Sequence, residues 1–144
     1  MKLSTRGRYG IHAMYDLAAH YGEGPQALSL IAQRRDISEA YLEQLMGSLR
    51  RAGLVTSVRG ALGGYSLSRA PEDISVGDVL RALEGQLDLV DCLSDEENCG
   101  KSCDCPMRIV WQRMRDGLND IVNAISLKDM LRDAKAGAHE GDIL

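Results

Sequence analysis

Four cysteines, Cys92, Cys99, Cys103 and Cys105, are all the cysteines of the 144-residue chain, and they fall within fourteen residues. Structural zinc normally takes two close pairs of ligands, often C-x2-C, and no such pair occurs here. Cys103 and Cys105 stand too close for a usual chelating pair, although each can reach a different iron of one cluster. Irregular, medium spacing in a loop suits an iron–sulfur cluster, whose several irons relax the geometry. Spacing alone therefore ranks an iron–sulfur cluster above zinc, with thiol redox sensing or inert loop cysteines behind both. Asp88, Asp91, Asp95, Glu96, Glu97 and Asp104 surround these thiols against the single Lys101. Carboxylates disfavour a free thiolate, which argues against a nucleophilic cysteine. No nucleophile–base pairing or phosphate loop appears, and "GALGG" (60–64) belongs to a hairpin rather than a strand-to-helix turn. His12 and His20 on the first helix and His139 in the tail read as structural or solvated. The chain does not read as an enzyme.

A second set of residues can read DNA. Ser38, Glu39, Ala40, Tyr41, Glu43 and Gln44 crowd the start of the third predicted helix. That end of a recognition helix enters the major groove in helix-turn-helix proteins. Gln44 can pair with a base edge, usually adenine, and Ser38 and Tyr41 can reach phosphates or bases. Glu43 is repelled by phosphate, so it makes sense as an acceptor from cytosine N4 or as a filter against wrong sequences. Arg59 lies among glycines, where a thin hairpin can place it in a narrow, A·T-rich minor groove.

These residues need elements to hold them. Ser4 or Thr5 caps a first helix to about Tyr21, with Met14, Leu17, Ala18 and Tyr21 at helical spacing. "GEGP" (22–25) breaks it. A second helix over Leu28 to Arg35 turns Leu28, Ile31 and Ala32 inward. Ser38 caps a third helix to about Ala52, with Leu42, Leu45, Met46 and Leu49 apolar. Gly53 ends that helix. Leu54 to Val58 and Tyr65 to Leu67 then read as a β-hairpin, a wing, and Pro71 closes the module. Ser75 caps a helix carrying Val76, Val79, Leu80 and Leu83. The cysteine segment follows. Met107 to Ile125 is a long helix with Trp111, Met114, Leu118, Ile121 and Ile125 at heptad spacing, which favours a dimer seam. Ser126 restarts a short helix with Leu127, Met130 and Leu131.

The composition agrees with this plan. The chain has no Phe and only 4% aromatics, so the core must be Leu, Ile, Val, Ala and Met, which favours helices. No apolar run reaches the roughly 18–20 residues of a membrane span, and "MKLSTRGRYG" lacks the apolar core of a secretion signal. A cytoplasmic protein without membrane contact is expected. The net charge of −4 conceals a division. Residues 1–70 hold nine basic and five acidic residues, a surplus of +4, and the remainder holds eight and sixteen, or −8. A basic binding half and an acidic other half are expected.

"MKLSTRGRYG", "ISEAYLEQLMGSLRRAGLVTSVRGALGGYSL" and the cysteine loop before "VWQRMRD" together resemble the IscR/NsrR/CymR-like bacterial regulators of the Rrf2 family, over about Met1 to Leu131. The resemblance implies a mainly α protein with a small β-wing, a winged helix-turn-helix domain plus a long C-terminal dimerisation helix. It implies a homodimeric repressor or dual regulator that binds double-stranded DNA at a palindromic operator. Ser38, Tyr41, Glu43 and Gln44 match the recognition-helix contacts and Arg59 the minor-groove arginine. Cys92, Cys99 and Cys105 match the three cluster ligands, with Cys103 extra. Two familiar fourth ligands are replaced. Arg108 stands where one branch has a histidine, and Arg8 where the nitric-oxide-sensing branch has an aspartate. The first cysteine gap is one residue longer than in those branches.

The expected division is residues 1–71 as the DNA-binding domain, 72–133 as linker helix, cysteine loop and dimerisation helix, and 134–144 as a disordered tail. The expected function is transcription control by iron–sulfur status, with 2Fe–2S ranked over 4Fe–4S, acting on cluster-assembly or sulfur and cysteine genes. The alternatives are a cluster-free or zinc-containing regulator working with a cysteine-synthesis partner protein, a nitric-oxide sensor, and an iron–sulfur carrier.

Overall fold

The computed structural model describes residues 3–87 and 106–137. The described helices are α1 (Thr5–Ala19), α2 (Leu28–Arg35), α3 (Glu39–Arg51), α4 (Val76–Glu84), α5 (Pro106–Ala124) and α6 (Leu127–Gly137). Strands β1 (Val55–Val58) and β2 (Gly64–Leu67) pair antiparallel, with Val55 opposite Leu67 and Val58 opposite Gly64. A single 3-10 turn, Pro71–Asp73, leads into α4. The mainly helical fold with a two-stranded wing is the architecture expected from the sequence.

Serine caps set most of the helix starts. The Ser4 and Ser38 hydroxyls accept from the backbone N–H groups of Gly7 and Tyr41. Ser75 with Asp78, and Ser126 with Asp129, form reciprocal capping boxes at the starts of α4 and α6. Each such cap contributes about 1 kcal/mol. The two boxes lie side by side. Val76 N–H donates to the Ile125 carbonyl at 2.8 Å, and Leu127 N–H to the Ile74 carbonyl at 2.9 Å. Asp36 ends α2 in the left-handed region at φ 55°, which a short polar side chain tolerates. The chain thus turns sharply enough for buried Ile37 to lead into α3.

One core receives all these elements except most of α5. Met14, Ile31, Leu42, Leu45, Met46, Leu49, Ile74 and Leu127 are fully buried in it. Val79 and Leu83 of α4 join the same cluster, and Met130 and Leu131 of α6 pack on it. Helices α1 and α4 touch closely because α1 carries glycine there. A Cβ on Gly10 would lie 1.9 Å from Leu83 Cδ1.

Two sequence expectations change. Tyr21 lies beyond the end of α1 and is exposed, so it is no part of the apolar stripe. Helix α6 reaches Gly137, into the stretch read as tail. Residues 138–144, including His139, lie outside the described residues, as does the whole cysteine segment.

Helix α5 is an apolar helix with little cover. Only Val122 is buried, while Trp111 and Leu118 are half-buried. Met107, Val110, Met114 and Ile121 lie on a face at heptad spacing and are about half exposed, Met114 at 50% and Ile121 at 61%. The seam read as Trp111, Met114, Leu118, Ile121 and Ile125 therefore splits between an inner and an outer face.

Candidate nucleic-acid interface

Helix α3 presents its first turn outward while its other face is locked into the core. Ser38, Glu39, Ala40, Glu43 and Gln44 are exposed, and Leu42, Leu45, Met46 and Leu49 are buried. The Glu43 and Gln44 side chains make no hydrogen bond among the described residues, so their polar ends are available to a ligand. Ser38 Oγ accepts from Tyr41 N–H at 3.3 Å, which leaves its hydroxyl proton able to donate to a phosphate. Tyr41 is different. Its ring is half-buried and meets Tyr9 edge-on, with centroids 5.9 Å apart. Tyr9 also lies against His12 at 6.3 Å. Tyr41 therefore spends its ring on α1, and sequence reading missed Tyr9 as its support.

The far end of α3 is bolted down. Arg6 of α1 donates to Ser48 Oγ at 2.8 Å and to the Leu83 carbonyl at 3.2 Å. Arg51 donates to the same Ser48 oxygen at 3.1 Å. These bonds fix the angle at which the exposed start of α3 projects.

The wing is held just as firmly along the outer edge of β2. Tyr65 of β2 exchanges both backbone hydrogen bonds with Gln26, each at 2.9 Å. That pairing needs a glycine beside it, since a Cβ on Gly64 would lie 2.1 Å from the Gln26 carbonyl oxygen. At the tip, Gly60 takes φ 112° and Gly63 N–H closes on the Gly60 carbonyl at 3.0 Å. Arg59 is exposed at this tip and makes no ion pair among the described residues.

The basic half is smaller than its count of arginines implies. Arg34 and Arg35 are engaged by Asp16, a fully buried carboxylate on α1. Arg34 Nη2 and Nε donate to its two oxygens at 2.7 and 3.0 Å, and Arg35 Nε donates at 3.0 Å. Burial pushes the Asp16 carboxyl up, but the hydrogen bonds and charges of the two guanidiniums overcome it and hold its pKa below the usual value. His20 Nδ1 sits 2.9 Å from the Asp16 carbonyl, a structural role. Arg69 approaches Asp78 at 3.8 Å. Sequence reading missed Asp16; the signal that could have found it is an acid set within Ala13, Met14 and Leu17, which must find partners when buried.

No group of three or more potential metal ligands occurs among the described residues. Cys92, Cys99, Cys103 and Cys105 all lie outside them, so the ligand assignments rest on the sequence. Arg108 stands half-buried in the first turns of α5 and Arg8 is exposed on α1. Both are cations that cannot replace a histidine or aspartate as ligand. No described helix is long and apolar enough to cross a membrane.

Comparison with known proteins places this geometry. The family model Rrf2, described as an iron-dependent transcriptional regulator, matches residues 3–133. The chain is 46% identical over 130 residues to the HTH-type transcriptional regulator CymR of Bacillus subtilis, covering 90% of this chain and 89% of that one. It is 41% identical to the HTH-type transcriptional regulator IscR of Aliivibrio salmonicida, covering 92% and 79%. Among solved structures, IscR of T. potens superposes with a TM-score of 0.76 at 47% identity, covering 93% of this chain and 88% of that one. The global cysteine regulator CymR of B. subtilis superposes at 0.74 and 45% identity, covering 90% and 95%. With the family model spanning residues 3–133 and relatives above 40% identity over nearly the whole chain, the chain belongs to the Rrf2 family of DNA-binding transcriptional regulators.

Proposed function

We propose that the chain is a homodimeric repressor whose operator affinity depends on an iron–sulfur cluster. The observation that carries the DNA reading is one rigid unit presenting two unpartnered sets, Glu43 and Gln44 on α3 and Arg59 on the wing. Gln44 reads a base edge, Glu43 selects against mismatched sequences, Ser38 and Tyr41 contact the backbone, and Arg59 enters the adjacent minor groove. The exposed face of α5 supplies the dimer seam, and a two-fold dimer reads a palindrome.

Cys92, Cys99 and Cys105 hold the cluster, 2Fe–2S ahead of 4Fe–4S, with Cys103 as the candidate additional ligand. Their donor chemistry fits: soft thiolates at irregular spacing, with no zinc-type pair. The cluster supplies a state that iron shortage, oxygen or nitric oxide removes. It changes gene expression only if DNA binds holo and apo forms with different affinity. Iron–sulfur assembly genes and sulfur or cysteine genes are the proposed targets; the family description names iron dependence, and one similar structure is that of a global cysteine regulator.

The test is purification without oxygen, followed by a visible spectrum and iron, sulfide and zinc analysis. A coloured protein with iron and acid-labile sulfide in equal amounts is expected. A colourless protein with stoichiometric zinc would overturn the cluster. A second reading draws on the 46% identity to CymR: a cluster-free regulator of cysteine supply that acts with a partner enzyme. Metal-free protein that binds DNA with unchanged affinity would favour it.

A further inference from the structure

The wing tip carries a feature that the arginine reading does not use. Leu62 is 92% exposed, far above any other large apolar side chain among the described residues. It is held there by construction. Gly63 N–H closes the turn on the Gly60 carbonyl at 3.0 Å, and Gly63 packs so close to the Val58 carbonyl that a Cβ there would lie 2.0 Å from its oxygen, so the turn is tight and Leu62 stands out from it. Val58, at the other side of Arg59, is 49% exposed. The tip therefore carries an exposed arginine and two exposed aliphatic side chains, Val58 and Leu62, on one short hairpin. A lone exposed leucine needs no explanation in general. One on the same short turn as a cation proposed for a minor groove has a ready surface, because the groove walls are apolar sugar faces and its A·T floor carries no amino group.

We infer that Leu62 is a specificity-determining residue: it packs into the minor groove beside Arg59 and favours A·T over G·C there by exclusion of the guanine amino group. This deepens the proposed DNA reading and rests on it. Arg59 answers the groove's potential and width, while Leu62 senses the shape of its floor.

The experiment begins with a duplex selected from random-sequence DNA by the wild-type protein. Its wing-facing flank is then rebuilt with inosine·cytosine pairs, which present an A·T-like minor groove, or with guanosine·cytosine pairs. Leu62→Ala is expected to weaken binding about tenfold, the loss of a buried branched side chain. It should reduce discrimination between the two flanks and leave the salt dependence unchanged. Arg59→Ala should weaken binding and lower the salt slope by about one phosphate-equivalent. Because the side chain has almost no protein contact, the thermal melt of Leu62→Ala should match wild type. Wild-type affinity for Leu62→Ala, beside a weakened Arg59→Ala, would overturn the inference and leave the interface standing. If Leu62→Ala, Arg59→Ala and Gln44→Ala all bind as wild type, the interface itself is wrong. A change in oligomer mass for Leu62→Ala would make the tip a protein contact and overturn the groove assignment.

Discussion

Asp16→Asn tests what holds the helix pair together. The substitution keeps the size of the side chain and removes the charge that Arg34 and Arg35 share. Three charge-assisted hydrogen bonds meet on this buried carboxylate, at 2.7, 3.0 and 3.0 Å. A hydrogen bond to a charged group contributes about 1.5–3 kcal/mol net. The arginines retain 30% and 26% exposure, so they regain water when the carboxylate is lost. The net cost then sits at the low end for breaking a buried pair, about 3 kcal/mol. For a chain of this size that lowers Tm by about 10 °C. The pH dependence follows from the depressed pKa. The stability due to Asp16 is fully present above the unfolded carboxylate value, about 3.9, and is lost as pH falls through the lower folded value. Thermal unfolding by circular dichroism at pH 7 should show the full gap, and the gap should narrow in acid below the unfolded value. A variant that melts within 2 °C, or about 0.5 kcal/mol, of wild type at pH 7 would refute the assignment.

Other consequences are testable in the same protein. Met114→Glu with Ile121→Glu should dissociate the dimer, raising its dissociation constant by at least about 100-fold as two half-exposed apolar anchors become charges; sedimentation that still shows a dimer would remove α5 from the seam. Gly10→Ala should cost about 1–2 kcal/mol despite the better helix propensity of alanine, because its Cβ meets Leu83, and chemical denaturation reads this directly. Cys103→Ala should retain the iron–sulfur spectrum if Cys92, Cys99 and Cys105 suffice, and lose it if Cys103 is a ligand.

The parts of the fold governed by local chemistry were legible in the sequence. Ser38, Ser75 and Ser126 mark helix starts because a side-chain oxygen must satisfy the free N–H groups there, and Gly53 marks a stop at φ 80°. Exposure of Glu43 and Gln44 followed from the helical spacing of Leu42, Leu45, Met46 and Leu49, and that of Arg59 from its place among the glycines of the hairpin. What depended on distant partners was less legible. Tyr41 looked wholly available, yet α1 brings Tyr9 against its ring. Arg34 and Arg35 counted towards a basic surface until the fold placed Asp16 beneath them. The heptad pattern of α5 read as one seam and did not show that α4 would cover part of it. Arg81 decides that by donating to Asn123 at 2.8 Å and Asn119 at 3.4 Å, which turns Met114 and Ile121 outward.

The most direct test of the regulatory claim compares two forms of one preparation on one duplex. Protein purified without oxygen is split, and half is stripped of its cluster by a chelator under reducing conditions. Both halves are titrated against the operator selected from random DNA, with anisotropy as the readout at fixed salt. Affinities that differ by about tenfold or more, corresponding to a coupling of at least about 1.4 kcal/mol, are expected. Equal affinities, with both halves folded and dimeric, would contradict control of DNA binding by the cluster.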